Sequence, residues 1–142
     1  MKKINVAIIG QGRSGRDIHG AFFRSAQNEH YQVVAVVDQL SDRRERAKAE
    51  YGCDVYADHR ALYGRRDIDL VINSTFSHLH YPVTMDLLTH GFNVVVEKPF
   101  SAHVEECEAM IRAAKVEPLL KYDPLFVWIL TRGYGDIDWW VV

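Results

Sequence analysis

Unbroken apolar strands that alternate with helices constrain this chain more than any other feature. "INVAIIG" (4–10), "QVVAVVD" (32–38), "LVINS" (70–74) and "NVVVE" (93–97) are continuous apolar runs with no polar alternation. Such runs belong to strands covered on both faces. A shorter strand is expected near Asp54–Tyr56. Between the strands, "SGRDIHGAFFRSA" has helical spacing, with Ile18, Ala21, Phe22 and Ser25 on one side. "SDRRERAKAEYG" reads as a charged helix stopped by Gly52. Further helices are expected over 78–90, ending on Gly91, and over 102–115, with Ser101 as N-cap. Pro82 falls in the first turns of the former, where proline is tolerated. This alternation specifies an α/β fold, a doubly wound parallel sheet.

The 142 residues suffice for one domain with a proper core. A net charge of −2, with acids interleaved among the arginines, offers no basic face to nucleic acid or to an anionic membrane. No stretch approaches the roughly 18 apolar residues of a membrane span. The N-terminal "MKKINVAIIGQG" starts like a signal peptide, but its apolar run stops at Gly10 and no cleavage site follows. Cys53 and Cys107 lack metal-type spacing and read as reduced thiols of a cytoplasmic protein.

Chemistry is concentrated at the carboxyl ends of the strands. "GQGRSG" sets Gly10, Gly12 and Gly15 at G-x-G-x-x-G spacing, between the first strand and the first helix. Gly10 permits the tight turn, Gly12 leaves room for a pyrophosphate, and Gly15 lets helix and strand pack closely. Gln11, Arg13 and Ser14 complete the loop, and free N–H groups at the helix start favour an anion. Asp38 ends the second strand, placed to accept hydrogen bonds from a ribose diol and to repel a 2′-phosphate. That favours NAD over NADP, although Arg43 and Arg44 close behind are able to meet a 2′-phosphate. An S-adenosylmethionine site uses a similar loop and acid; the third glycine and the "EKP" segment argue against it.

"VVVEKP" runs an apolar strand into Glu97, Lys98 and Pro99. Ligands of doubly wound sheets bind outside the strands' carboxyl ends, so both charges are expected to emerge at the cofactor crevice. A lysine near oxidised nicotinamide has a lowered pKa, which suits Lys98 to acid–base work or to orienting a substrate oxygen. A solvated Glu–Lys pair without chemistry is the bland alternative. His78 and His80, two apart with no third ligand, do not make a metal site. His19 on the first helix reads as packing against the sheet.

With these motifs in place, the chain resembles the glucose–fructose oxidoreductase/inositol dehydrogenase (Gfo/Idh/MocA) family. The matching segments are "VAIIGQGRSGRDIHG", "VVAVVD", "DLVINSTFSHLHYPVTMDLLTHGFNVVVEKPFS" and the helix that follows, in the family's order. The resemblance implies an N-terminal NAD(P)-binding Rossmann domain of an oxidoreductase acting on sugars, polyols or related compounds. It implies that Lys98 is the catalytic lysine, and that Ser74, Thr75 and His80 border the cofactor together with Glu97 and Lys98.

The resemblance ends near Lys115. Family members continue into a second α/β domain that binds substrate, mediates oligomerisation and supplies a catalytic histidine. No such domain is expected here, so residues 1–121 read as the dinucleotide domain and 122–142 as an atypical apolar tail. Either the chain is a truncated oxidoreductase with little activity of its own, or it is a non-catalytic dinucleotide-binding module or gene relic. The tail holds Trp128, Trp139 and Trp140. Either "EPLLKY" (117–122) forms a sixth strand and "PLFVWIL" (124–130) an apolar cover, or the reading frame is disrupted after about Lys115. In both cases its apolar groups imply self-association.

Overall fold

The computed structural model describes residues 2–115 and the pair 140–141. Strands β1 (Ile4–Ile9), β2 (Tyr31–Val37), β3 (Asp54–Tyr56), β4 (Leu70–Asn73), β5 (Val94–Val96) and β6 (Trp140–Val141) form one sheet in the order β3-β2-β1-β4-β5-β6. The first five are parallel, and β6 pairs antiparallel with β5. The sixth strand expected at 117–122, its apolar cover and the other expectations about the tail lie outside the described residues.

Side-chain alternation explains why the middles of the strands are apolar on both faces. Ala7, Ile9, Ala35, Val37, Val71, Val94 and Val96 point to one face and pack against Leu62, Ile68, Val83, Leu87 and Leu88. Val6, Ile8, Val36, Leu70, Ile72 and Val95 point to the other, where Ala47 and the partly buried Phe22, Phe23 and Tyr51 cover them. With period-2 geometry and two covered faces, polar residues fall near the strand ends, as Asn5, Gln32, Asp54 and Asn73 do. A register shift opposite Val6 and Ala7 leaves Val34 as an extra residue of β2. Val33 pairs with Val6 on one face, and Ala35 with Ala7 on the other, so the bulge keeps both strands in phase.

Three helices follow the expected spans closely: α2 (Ser41–Tyr51), α3 (Ser77–Thr89) and α4 (Val104–Lys115). Gly52 takes φ +64° at the end of α2, the left-handed cap expected there. α4 starts at Val104, so Ser101 is not its N-cap as expected; its hydroxyl accepts from His103 N–H and donates to Glu106, tying the approach to the helix to its first turn. The first helix differs from expectation. Arg13–His19 is a π-helical turn that runs into a single α-turn, α1 (Gly20–Phe23). The wider turn rotates the buried face, so that Gly15, His19 and Gly20 face inward and Ala21 is exposed. A reading at 3.6 residues per turn therefore misplaces this face.

The link from β3 to β4 makes a 3₁₀ turn (His59–Leu62) that plugs Leu62 into the core beneath α3. Leu62 is fully buried, whereas Val104 on α4 is largely exposed. Leu62→Ala is expected to cost about 3 kcal/mol in urea unfolding, and Val104→Ala no more than about 0.5. Equal costs would show that the β3–β4 link is not anchored this way.

Candidate functional site

The turn between β1 and the π-helical segment is as tight as a backbone allows. Gly10 has φ +92°, and a Cβ there would lie 2.4 Å from the Ser74 carbonyl oxygen. A Cβ on Gly15 would lie 1.9 Å from the Gly10 carbonyl oxygen, so any side chain at 15 would force the helix away from the loop. Gly12 is different, since its nearest neighbour would be an Arg43 side-chain nitrogen at 3.7 Å. The first and third glycines are required by the fold, and the second leaves open space outside it. That division of labour is the one expected of a loop that receives a pyrophosphate.

Asp38 is buried just past the end of β2. Its Oδ2 accepts from the Gln11 N–H at 2.7 Å, and its Oδ1 accepts from the Leu40 N–H at 2.9 Å. A carboxylate has about four acceptor positions, so two remain for a ribose diol. Arg43 lies 3.5 Å from Oδ2 and is the only one of the two adjacent arginines at the site. Arg44 turns away and donates to the Asp38 and Gln39 carbonyls, both at 2.8 Å. Arg46, which the sequence did not single out, donates to the Gln11 carbonyl at 3.3 Å. Two guanidinium groups thus border the glycine loop and favour an anion there.

At the end of β5 the two charges part company. Lys98 is exposed, as expected. Glu97 does not emerge into the crevice, because it is 4% exposed and buried beneath the loop. Its Oε1 accepts from His19 Nε2 at 2.9 Å, and its Oε2 accepts from the Lys98 N–H at 3.1 Å. Burial opposes its ionisation, but hydrogen bonds from His19, Ser14 and Lys98 N–H prevail and hold its pKa below the usual carboxylate value. The physical reason is strand alternation: Glu97 continues the Val95 side and meets the π-helical turn, where a polar group must find partners. His19 is therefore more than packing. A histidine one turn past a glycine loop, with an acid ending a distant strand, was the available signal.

Around β4 the remaining residues form one network. His80 is buried with Nδ1 2.7 Å from the Pro99 carbonyl oxygen and Nε2 3.1 Å from that of Thr75. Asn73, also missed from sequence, donates to the His80 carbonyl and Thr84 Oγ1, and accepts from Thr75 Oγ1 at 2.7 Å. His78 is exposed and stacks on Phe76, so the two histidines do not converge. Among the described residues no cluster of His, Cys, Asp and Glu could hold a metal ion. Arg13 is exposed beside the loop.

Ser74 Oγ is buried against Gly15 without a hydrogen-bond partner, as are both amide atoms of Gln11. Orphaned polar groups around an open loop fit a polar ligand that completes them. The open space at Gly12, the spare acceptors of Asp38 and the two arginines fit a dinucleotide. Cys53 takes no part, since burial pushes its thiol up to about 11.

A carboxylate with a lowered folded pKa stabilises the fold above its unfolded value and loses that contribution as pH falls through the folded one. The stability gap between the unsubstituted chain and Glu97→Gln, about 1.5–3 kcal/mol at neutral pH, is expected to hold down to about pH 5 and narrow below its ordinary value of 4.5. Thermal melts across pH 3–7 read this directly, and a gap that widens toward acid would contradict it.

Comparison with known proteins agrees with the geometry. The family described as "Oxidoreductase family, NAD-binding Rossmann fold" matches residues 4–120. The chain is 34% identical over 118 residues to scyllo-inositol 2-dehydrogenase (NADP(+)) IolW of Bacillus subtilis, covering 82% of this chain and 32% of that protein. It is 32% identical over 115 residues to 2,7-anhydro-N-acetylneuraminate hydratase of Mediterraneibacter gnavus, covering 81% and 29%. The WlbA dehydrogenase of Chromobacterium violaceum, solved in complex with NADH and UDP-GlcNAcA, superposes with a TM-score of 0.74 at 27% identity, over 82% of this chain and 33% of that one. The chain thus spans about a third of the length of the relatives it matches. The glycine loop, the acid after β2 and the EKP exit sit in a matched segment that covers nearly all the described residues, and the chain belongs to the Gfo/Idh/MocA family through its NAD-binding Rossmann domain.

Proposed function

We propose that this chain binds NAD(H) at the glycine loop and forms the dinucleotide-binding part of an oxidoreductase. The substrate class is a sugar, a polyol or a related hydroxyl or carbonyl compound, as the names of the matched relatives suggest. One observation carries the reading: the buried Asp38 carboxylate is held by the Gln11 N–H of the loop itself, so loop and ribose acceptor form one preorganised unit. Gly10, Gln11, Gly12, Arg13, Ser14 and Gly15 cradle the pyrophosphate, and Ser74 and Thr75 border the bound ligand. A nicotinamide dinucleotide, when bound, supplies hydride acceptance or donation.

Lys98 is the group that acts on the substrate. It is exposed at the strand end, where it orients the substrate oxygen and exchanges a proton with it. His80 and Glu97 serve from behind, through the Thr75 and Pro99 carbonyls and the Lys98 N–H. A second reading, binding without turnover, draws on the same site. His19 and His80 are committed to buried hydrogen bonds, so the described residues offer Lys98 no evident acid–base companion.

Cofactor choice turns on Asp38 against Arg43. The carboxylate is nearer the loop and better held, so NADH is expected to bind about tenfold more tightly than NADPH. Asp38→Asn, which keeps an acceptor for the loop, is expected to weaken NADH by about 10- to 100-fold, the worth of charged hydrogen bonds. Lys98→Ala is expected to leave NADH affinity within about threefold. Calorimetric titration tests all three, and tighter binding of NADPH would overturn the preference.

A further inference from the structure

We propose that His19 is a positioning residue for Lys98, acting through the buried Glu97 carboxylate, and that this clamp couples filling of the glycine loop to placement of the lysine. The inference rests on the dinucleotide reading above and adds a residue to it.

The geometry is a relay of two short links. His19 lies at the end of the π-helical turn that starts at the loop and is 6% exposed. Its Nε2 donates to Glu97 Oε1 at 2.9 Å. The other oxygen of the same carboxylate accepts the Lys98 N–H at 3.1 Å. One rigid planar group therefore joins the helical turn that starts at the loop to the backbone of the lysine. The Glu97 N–H is fixed independently by the Asn73 carbonyl at 3.0 Å, so the side chain has little freedom to swing.

Burial gives the clamp its force. A charged carboxylate that loses a donor in a dry site is left uncompensated, which is far costlier than losing an exposed contact. The chain would relieve that cost by letting the Glu97–Lys98 segment open to water, and Lys98 would lose its placement. From the other face His80 holds the next residue through the Pro99 carbonyl. Lys98 is thus gripped on one side through its own N–H and on the other through Pro99, and only the first grip reaches the glycine loop. An anion that orders the loop and the turn after it tightens the grip on Lys98 through His19, and the coupling is reciprocal.

Amide hydrogen exchange of Lys98 measures the last link, with ADP-ribose as the probe that fills the loop without a nicotinamide. In the unsubstituted chain, ADP-ribose is expected to slow exchange at Lys98 by about fivefold. In His19→Ala the Lys98 amide is expected to exchange at least about tenfold faster without ligand, while sheet amides such as Ile8 and Val71 keep their rates. The response to ADP-ribose is expected to vanish in this variant, with affinity changed by no more than about threefold. His19→Gln, which can still donate to Glu97, is expected to restore most of the protection. If His19→Ala does not fold, Glu97→Leu, which removes both acceptor oxygens, serves in its place, with the same expectation for Lys98. Uniform acceleration of all sheet amides would assign His19 a merely structural role and overturn the proposal. An unchanged Lys98 response to ADP-ribose would overturn it as well. Failure of the unsubstituted chain to bind ADP-ribose would instead overturn the dinucleotide reading, and the coupling with it.

Discussion

The close approach of Gly15 to the Gly10 carbonyl sets the position of everything around it. Because no Cβ intervenes, the helical segment after β1 packs directly on the turn that precedes it. That contact brings Ser14 and His19 within reach of Glu97, on a strand two places away in the sheet. It also leaves the Gln11 N–H directed at Asp38. A single added methyl group at 15 would disturb both buried carboxylates at once, so the glycine matters for electrostatics as much as for packing.

Two acids, Asp38 and Glu97, end two apolar strands on opposite sides of β1, and both are buried. Their roles differ. Asp38 spends part of its capacity on backbone N–H groups and keeps acceptors facing the loop. Glu97 spends its capacity on His19 and the Lys98 N–H, which turns it into a tie. A carboxylate is suited to both tasks because it only accepts, and every nearby partner is a donor. The neutral Asn73, at the end of β4 between them, must both donate and accept, and it links Thr75, Thr84 and His80 accordingly.

Much of this was legible in the sequence because sheets covered on both faces leave so plain a pattern. β3 and the cap at Gly52 fell where expected, and α2 to α4 began or ended within a residue or two of expectation. The glycine spacing located the loop, and Asp38 sits beside it. The first helix was read at the wrong period, because residues 13–19 make a π-helical turn that hydropathy at 3.6 residues per turn cannot reveal. Glu97 was placed in the crevice because its partner, His19, is 78 positions away in the chain. Arg43 and Arg44 look alike in sequence, and only the direction of each side chain separates the one at the site from the one bonded to carbonyls.

Dinucleotide binding at the glycine loop is the claim on which the rest stands. Gly12 offers a clean probe, because a Cβ there meets nothing closer than an Arg43 nitrogen at 3.7 Å and its φ of −76° suits any residue. Valine at this position would leave the fold intact and fill the space assigned to the pyrophosphate. The decisive measurement is phosphorus NMR of NADH titrated with the chain and with Gly12→Val. The account predicts that the pyrophosphate resonances shift and saturate with the unsubstituted chain and stay at their free positions with the variant. Resonances unmoved by the unsubstituted chain, or moved equally by both, would contradict it.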